Sequence, residues 1–133
     1  MDTTALNQAI TDLEAECQGI GYTPVQLAAE RGEHEIVSVL ADGGAHLNAR
    51  STGPYGGDTP LGSAIIEEHP ETVRVLVGKG ANPNLKACST GSTPLFLVTE
   101  TSGDPDMVKH LVDGGADLNS RNRKRETPLH RVA

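Results

Sequence analysis

The dipeptide Thr-Pro occurs four times in this chain at nearly equal intervals. The copies begin at Thr23, Thr59, Thr93 and Thr127, so they are separated by 36, 34 and 34 residues. A Gly-Ala pair follows the first three copies after 21, 21 and 22 residues, and an Asn follows each of those glycines by four residues. Self-similarity at such a period is typical of proteins built from stacked supersecondary units. The chain is therefore predicted to form a repeat solenoid.

The residue types within one repeat predict two helices. Thr is a preferred N-cap and Pro fits the first helical position, so each Thr-Pro pair predicts a helix start. In the first repeat this helix covers residues 24–31 and is closed by Gly32. A second helix ends at Gly43-Gly44, where a left-handed residue is favoured. Its apolar residues are spaced for one buried face, and they are Ile36, Val37 and Leu40.

The second helices of the later repeats are predicted to begin at a proline of their own. In the third repeat, Asp104, Pro105 and Asp106 supply a cap, a first-position proline and an acid that favours the helix dipole. In the second repeat, the segment His69-Pro70-Glu71 is predicted to act in the same way.

These motifs resemble ankyrin repeats. The resemblance rests on Gly-Tyr-Thr-Pro-Val-Gln-Leu-Ala-Ala at 21–29, Gly-Ala-Asp-Leu-Asn at 115–119 and Thr-Pro-Leu-His at 127–130, and it covers about residues 18–133. It implies an all-α ankyrin-repeat solenoid of helix-turn-helix units joined by β-hairpin loops. In that fold the first helices and the hairpins form a concave face.

The repeat pattern divides the chain into five segments. We expect an N-terminal capping helix at 1–17, full repeats at 18–50, 51–86 and 87–121, and a partial fourth repeat at 122–133. The last segment stops within a first helix, whereas a solenoid normally ends in a complete polar capping repeat. We therefore expect this chain to be a piece of a longer protein.

Departures from the family pattern mark special positions. The extra residues between the first two Thr-Pro pairs fall in 51–58, so that hairpin is predicted to be longer and to protrude. Glu68 stands where the family usually has Gly after the first helix. The usual His after Thr-Pro-Leu is replaced by Gln26, Gly62 and Phe96. We expect Phe96 to pack against the neighbouring hairpin and not to contact a partner.

The charge is distributed unevenly along the chain. The formal net charge is −7, of which residues 1–120 contribute −11 and residues 121–133 contribute +4. Nucleic acid is therefore disfavoured as a partner, because the chain as a whole repels phosphate. The basic run Arg121–Arg125 is most simply a solvated hairpin. A contact with an acidic partner and a nuclear localisation signal remain as alternatives.

The chain contains no pattern of residues that indicates catalysis or metal binding. Its five His and two Cys, Cys17 and Cys88, lack metal-ligand spacing, and there is no nucleophile elbow, P-loop or dinucleotide motif. We therefore expect a non-enzymatic protein without cofactors. The N-terminus does not resemble a secretory signal and no segment reaches about 18 apolar residues. We expect a cytoplasmic or nuclear location without membrane insertion.

One further resemblance concerns modification. In ankyrin proteins, hairpin asparagines with a Leu eight residues before and an Asp two residues before can be hydroxylated by an asparaginyl hydroxylase. Asn119, with Leu111 and Asp117, matches this pattern. An ordinary turn asparagine is the simpler interpretation.

The resemblance implies a monomeric, non-catalytic module that presents its concave surface to a protein partner. Apolar groups on such a rim are typical contact anchors. We expect the contacts to be made by Ile20, Tyr22, Tyr55, Asp58, Ile66, Glu67, Ser92, Arg123 and Lys124. The two tyrosines could equally pack against neighbouring hairpins. The alternative function is a regulatory or targeting segment of a larger enzyme or channel.

Overall fold

The structure, a computed structural model, describes residues 3–17, 21–51, 58–86 and 92–118. Within these ranges the chain forms seven α-helices and no β-strand. The helices are α1 (Thr3–Cys17), α2 (Pro24–Arg31), α3 (His34–Asp42), α4 (Pro60–Ile66), α5 (Pro70–Gly78), α6 (Pro94–Glu100) and α7 (Pro105–Asp113). The predicted all-α architecture is confirmed.

The helices that follow α1 form three pairs, which we call the first pair (α2 and α3), the second pair (α4 and α5) and the third pair (α6 and α7). Helices α2, α4 and α6 pack side by side in one layer, the front layer, and α3, α5 and α7 pack in a second, the back layer. Helix α1 packs against both helices of the first pair. The result is a two-layered solenoid in which each pair contacts its neighbours.

The front-layer helices begin where the Thr-Pro pairs predict. Thr23 has extended backbone, its hydroxyl accepts a hydrogen bond from the Gln26 N–H, and the Gln26 side chain accepts one from the Thr23 N–H. The Thr59 hydroxyl accepts from the Gly62 N–H. Thr93 is also an N-cap residue, although its side chain makes no capping bond. Each cap is followed by a proline, whose missing N–H needs no partner at this position.

Both predicted starts in the back layer are confirmed, at Pro70 and Pro105, but only the second has a side-chain cap. The Asp104 carboxylate accepts a hydrogen bond from the Asp106 N–H at 2.8 Å, as expected of a cap. His69 makes no side-chain capping bond to α5. Its Nε2 lies 2.9 Å from the carbonyl oxygen of Glu30, near the end of α2. The last carbonyls of a helix lack partners within the helix, so the imidazole reaches one of them across the junction.

In all three pairs, the turn between the two helices contains a residue with left-handed backbone. These residues are Gly32 with φ 74°, Glu68 with φ 61° and Gly103 with φ 65°. A Cβ on Gly32 would also come within 2.6 Å of the His69 ring. The second pair thus carries a glutamate in a conformation that suits glycine, as the family pattern indicates.

The core is an aliphatic frame shared by both layers. In the front layer, Ala28, Ala64 and Val98 stand at equivalent positions and are fully buried. Phe96 is fully buried too, which agrees with a packing role. In α1, the side chains of Leu13 and Cys17 face this frame, and burial raises the pKa of the Cys17 thiol.

Several expectations fall outside the described residues. They concern the protruding part of the long hairpin, the second cysteine, the candidate hydroxylation site, the basic run, the partial fourth repeat and four of the candidate contact residues. The positions concerned are 52–57, Cys88, Asn119 and 120–133, together with Ile20, Tyr55, Arg123 and Lys124.

Candidate protein-binding surface

Two positions of each repeat recur along the front layer. The residue before each N-cap Thr is Tyr22, Asp58 or Ser92. The residue seven places after each N-cap Thr is Glu30, Ile66 or Glu100. Because α2, α4 and α6 are neighbours, equivalent residues form rows across the layer. We call the accessible members of these rows, with the adjacent Glu67, the front surface. It consists of Tyr22, Glu30, Asp58, Ile66, Glu67 and Glu100.

Ile66 is the exposed apolar side chain of this surface. Its relative exposure is 39%, whereas the preceding residue, Ile65, is fully buried in the core. Ile66 is the last residue of α4, and Glu67 directly follows it as the C-cap. Ile66 is therefore accessible to a partner, and the buried Ile65 anchors the backbone that presents it.

Tyr22 joins the front surface at the first pair. The ring is half-buried and packs against the apolar core. Burial raises the pKa of the Tyr22 hydroxyl, and the nearby carboxylates of Glu30, Asp58 and Glu67 raise it further. These three carboxylates thus lie close enough to Tyr22 to affect its ionisation. The sequence left open whether Tyr22 packs against its own chain or is available to a partner, and the half-buried ring allows both.

Asp58 is held in place by bonds to its backbone. Its carbonyl accepts hydrogen bonds from the Ser51 N–H at 2.8 Å and from the Gln26 side-chain amide at 3.4 Å. The same amide donates to the Ala49 carbonyl at 2.9 Å. Burial raises the pKa of the Asp58 carboxyl, and the positive charge of Arg50 acts in the opposite direction. Gln26 therefore positions Asp58 and closes the base of the long hairpin.

Ser92 takes a different place from the one we expected of a contact residue. Its side chain is only 5% exposed, and its hydroxyl donates a hydrogen bond to the Glu100 carboxylate at 2.7 Å. In this position Ser92 orients an exposed acid. Its role in binding remains a prediction.

Two acids of the front surface, Glu30 and Glu100, were not among the contacts predicted from the sequence. The signal that could have found them is their register, since both are equivalent to Ile66. The residues that lie seven places after each N-cap Thr form the complete row.

The basic side chains of the described chain form their ion pairs elsewhere. Arg31 pairs with Glu16 of α1, and on the back layer Arg74 pairs with Glu71 while Lys79 lies 2.7 Å from Asp42. Among the residues that the structure describes, no salt bridge reaches a carboxylate of the front surface, although the charge of Arg50 acts on Asp58. The front surface is therefore acidic around one apolar side chain.

Within residues 3–17, 21–51, 58–86 and 92–118, no group of three or more His, Cys, Asp or Glu side chains could hold a metal ion. None of the helices in them is long and apolar enough to cross a membrane.

These features define the class of the protein: a two-layered all-α repeat solenoid with one acidic, partly apolar surface. The chain belongs to the ankyrin-repeat family. The family model described as ankyrin repeats (3 copies) matches residues 2–87, and the model for a single ankyrin repeat matches residues 90–123.

Three relatives support the assignment to the ankyrin-repeat family. The chain is 33% identical over 113 residues to the E3 ubiquitin-protein ligase KEG of Arabidopsis thaliana, with 84% of this chain and 7% of that protein covered. It is 33% identical over 111 residues to the ankyrin repeat protein FPV031 of Fowlpox virus, with 80% and 32% covered. It is 33% identical over 101 residues to the ankyrin repeat and SOCS box protein 6 of Mus musculus, with 76% and 24% covered. The chain thus spans a third or less of each of these relatives.

Proposed function

We propose that this chain is a non-catalytic module that presents the front surface, as a concave face, to a protein partner. Ankyrin-repeat domains are generally protein-interaction modules, and this chain belongs to that family. The observation that carries the proposal is the exposed Ile66 beside the buried Ile65. An apolar side chain held at the centre of a polar surface is typical of a contact anchor. The predicted contacts Ile20, Tyr55, Ser92, Arg123 and Lys124 complete the proposed site.

Binding by such a surface relies on pre-organisation. Ile66 and Glu67 extend from a helix end that the core holds, and Asp58 is fixed through its backbone by Gln26. Little conformational entropy is then lost when a partner binds, because these groups are already ordered. The module needs no cofactor, acts as a monomer, and works in the cytoplasm or the nucleus.

The test is a comparison of two charge substitutions at equally exposed apolar residues. Ile66 on α4 is 39% exposed and Val112 on α7 is 38% exposed. The parent chain, Ile66→Asp and Val112→Asp are immobilised, and partners from the native source are identified by mass spectrometry. A partner of the front surface should be lost with Ile66→Asp and kept with Val112→Asp. The opposite pattern would show that the partner uses another face. Size-exclusion chromatography with light scattering tests the monomer.

The second candidate is a regulatory or targeting segment of a larger enzyme or channel. It is favoured by the relatives, which are much longer than this chain and include one named as a ubiquitin-protein ligase. An antibody against this chain distinguishes the two candidates. It would detect a product much larger than 13.9 kDa in the native source if the segment belongs to such a protein.

A further inference from the structure

One row of the front surface alternates between acidic and apolar side chains. Glu30, Ile66 and Glu100 each stand seven residues after an N-cap Thr, on three neighbouring helices. Their order across the layer is therefore acid, apolar, acid. The Ser92 hydroxyl bonds to one acid of this row, Glu100, and orients it.

Neither acid of this row forms a salt bridge within the part of the chain that the structure describes. Arg31 pairs with Glu16 of α1, and the hydrogen bond to Glu16 together with the charges of Glu16, Glu33 and Glu30 raises the Arg31 pKa. The other paired cations lie on the back layer. Asp58 and Glu67 add further carboxylates, which act together with Glu30 on Tyr22. A partner that covers Ile66 desolvates these acids and must supply cations to compensate.

The spacing of the row limits the shape of the partner. Neighbouring packed helices lie about 8–10 Å apart, so successive members of the row are separated by about that distance. An extended segment in the polyproline II conformation has three residues per turn and advances about 3.1 Å per residue, so every third side chain lies on the same face. Every third residue of such a segment that crosses the layer therefore meets the next member of the row.

We infer that the front surface binds an extended protein segment in which two basic residues flank one apolar residue, with two residues between each. The basic side chains pair with Glu30 and Glu100, and the apolar side chain packs on Ile66. This inference rests on the proposed function, because it specifies the partner of the same surface. Recognition combines charge complementarity at the two acids with burial of Ile66 at the centre.

The test uses short peptides with blocked ends and a fluorescent label. The matching peptide contains Arg-Ala-Ala-Leu-Ala-Ala-Arg, and a rearranged control of the same composition has adjacent arginines and a terminal leucine. Binding to the full chain is measured by fluorescence anisotropy. The matching peptide should bind at least about tenfold more tightly than the control. Its affinity should fall as NaCl rises from about 50 to about 500 mM, because exposed charges are screened.

Variants of the chain assign the contacts. Ile66→Ser and the double variant Glu30→Gln/Glu100→Gln should each bind the matching peptide at least about tenfold more weakly, as expected for hot-spot side chains. The double variant should also lose most of the salt dependence. Glu35→Gln is the matched control, since Glu35 is an exposed acid of the back layer. It should bind like the parent chain. Circular dichroism checks that each variant is folded.

Two results would overturn the inference. One is equal affinity for the matching and the rearranged peptide, and the other is an unchanged affinity of the Glu30→Gln/Glu100→Gln variant. The proposed function fails separately, if the native partners are insensitive to Ile66→Asp. A native partner that Ile66→Asp abolishes, together with no peptide preference, would leave the proposed function standing and refute this partner chemistry.

Discussion

The junction between the first and second pairs differs from the junction between the second and third pairs. At the first, the Gln26 side chain of α2 donates hydrogen bonds to the carbonyls of Ala49 and Asp58. At the second, the equivalent residue of α4 is Gly62, which has no side chain to donate. The same repeat position thus forms a polar link at one junction and no side-chain link at the next.

The residue before each back-layer helix shows the same contrast. His69 crosses the first junction and contacts the Glu30 carbonyl, whereas the equivalent Asp104 bonds within its own helix to Asp106. In the back layer the second junction is closed by apolar packing. There Gly114 leaves the space that the side chain of Val77 occupies.

The asparagines of the connecting segments are common to both junctions. Asn48 accepts a hydrogen bond from the Asn82 N–H at 2.7 Å, and Asn84 accepts one from the Asp117 N–H at 2.6 Å. Asn84 also donates to the Gly115 carbonyl at 3.1 Å. These bonds repeat with the period of the backbone. The repeated asparagines thus give both junctions the same kind of bond to the backbone, while Gln26 and His69 add polar links at the first junction.

The largest predicted effect follows from truncating an apolar residue of the third pair. Leu111 is fully buried, so Leu111→Ala should lower the free energy of unfolding by about 3–4 kcal/mol through lost contacts and a cavity. Its equivalent in the first pair, Leu40, is only partly buried, and Leu40→Ala should cost about half as much. Urea unfolding measures both values. Equal losses would show that the two ends of the solenoid are packed alike.

Removal of the polar link should have the next largest effect. Gln26→Ala leaves the Thr23 N–H and two carbonyls without this partner, and it should cost roughly 2–3 kcal/mol. Gln8 is an exposed glutamine that bonds only to Asp12 among the described residues. Gln8→Ala is the control and should change stability by less than about 0.5 kcal/mol. If the two variants are equally stable, the polar link contributes nothing.

A pair of equivalent glycines tests the apolar link. Gly43 and Gly114 have nearly the same backbone, with φ −82° and −84°. A Cβ on Gly114 would overlap Cγ1 of Val77, so Gly114→Ala should cost about 1–2 kcal/mol. A Cβ on Gly43 would meet no atom closer than 3.5 Å, and Gly43→Ala should stabilise by roughly 0.4–1 kcal/mol.

Thermal unfolding of the two alanine variants gives the sign of each effect. The double variant Gly114→Ala/Val77→Ala should recover part of the loss, because the smaller side chain relieves the overlap. If Gly43→Ala is destabilised as well, the loss in Gly114→Ala does not come from the overlap with Val77 of the second pair.

The smallest predicted effect concerns the left-handed glutamate of the second pair. Glu68→Gly should stabilise the chain by about 0.5–1 kcal/mol, because left-handed backbone disfavours residues with a Cβ. Glu67 has φ −86° and provides the control. Glu67→Gly gains nothing from relieved strain and should be neutral or destabilising in the same melting experiment. A loss of stability in Glu68→Gly would mean that the glutamate side chain compensates for its backbone.

The sequence by itself determined the repeat and its local signals. The Thr-Pro spacing, the caps at Thr23 and Asp104 and the unusual Glu68 follow from short-range chemistry, which acts between residues close in the chain. The same register brings Ile66 into line with Glu30 and Glu100, although this row is recognised only when equivalent positions are compared.

The tertiary structure decided which neighbour each side chain meets. His69 is the N-cap residue of α5, as its position before Pro70 predicts, but its ring bonds to a carbonyl 39 residues away in sequence and not to its own helix. The bond from the Ser92 hydroxyl to Glu100, eight residues away, was likewise not predicted from the sequence. Spacing along the chain determines the hydrogen bonds within a turn of helix. It does not determine contacts across a junction, because these depend on how the neighbouring pair packs and on which polar groups that packing leaves without partners.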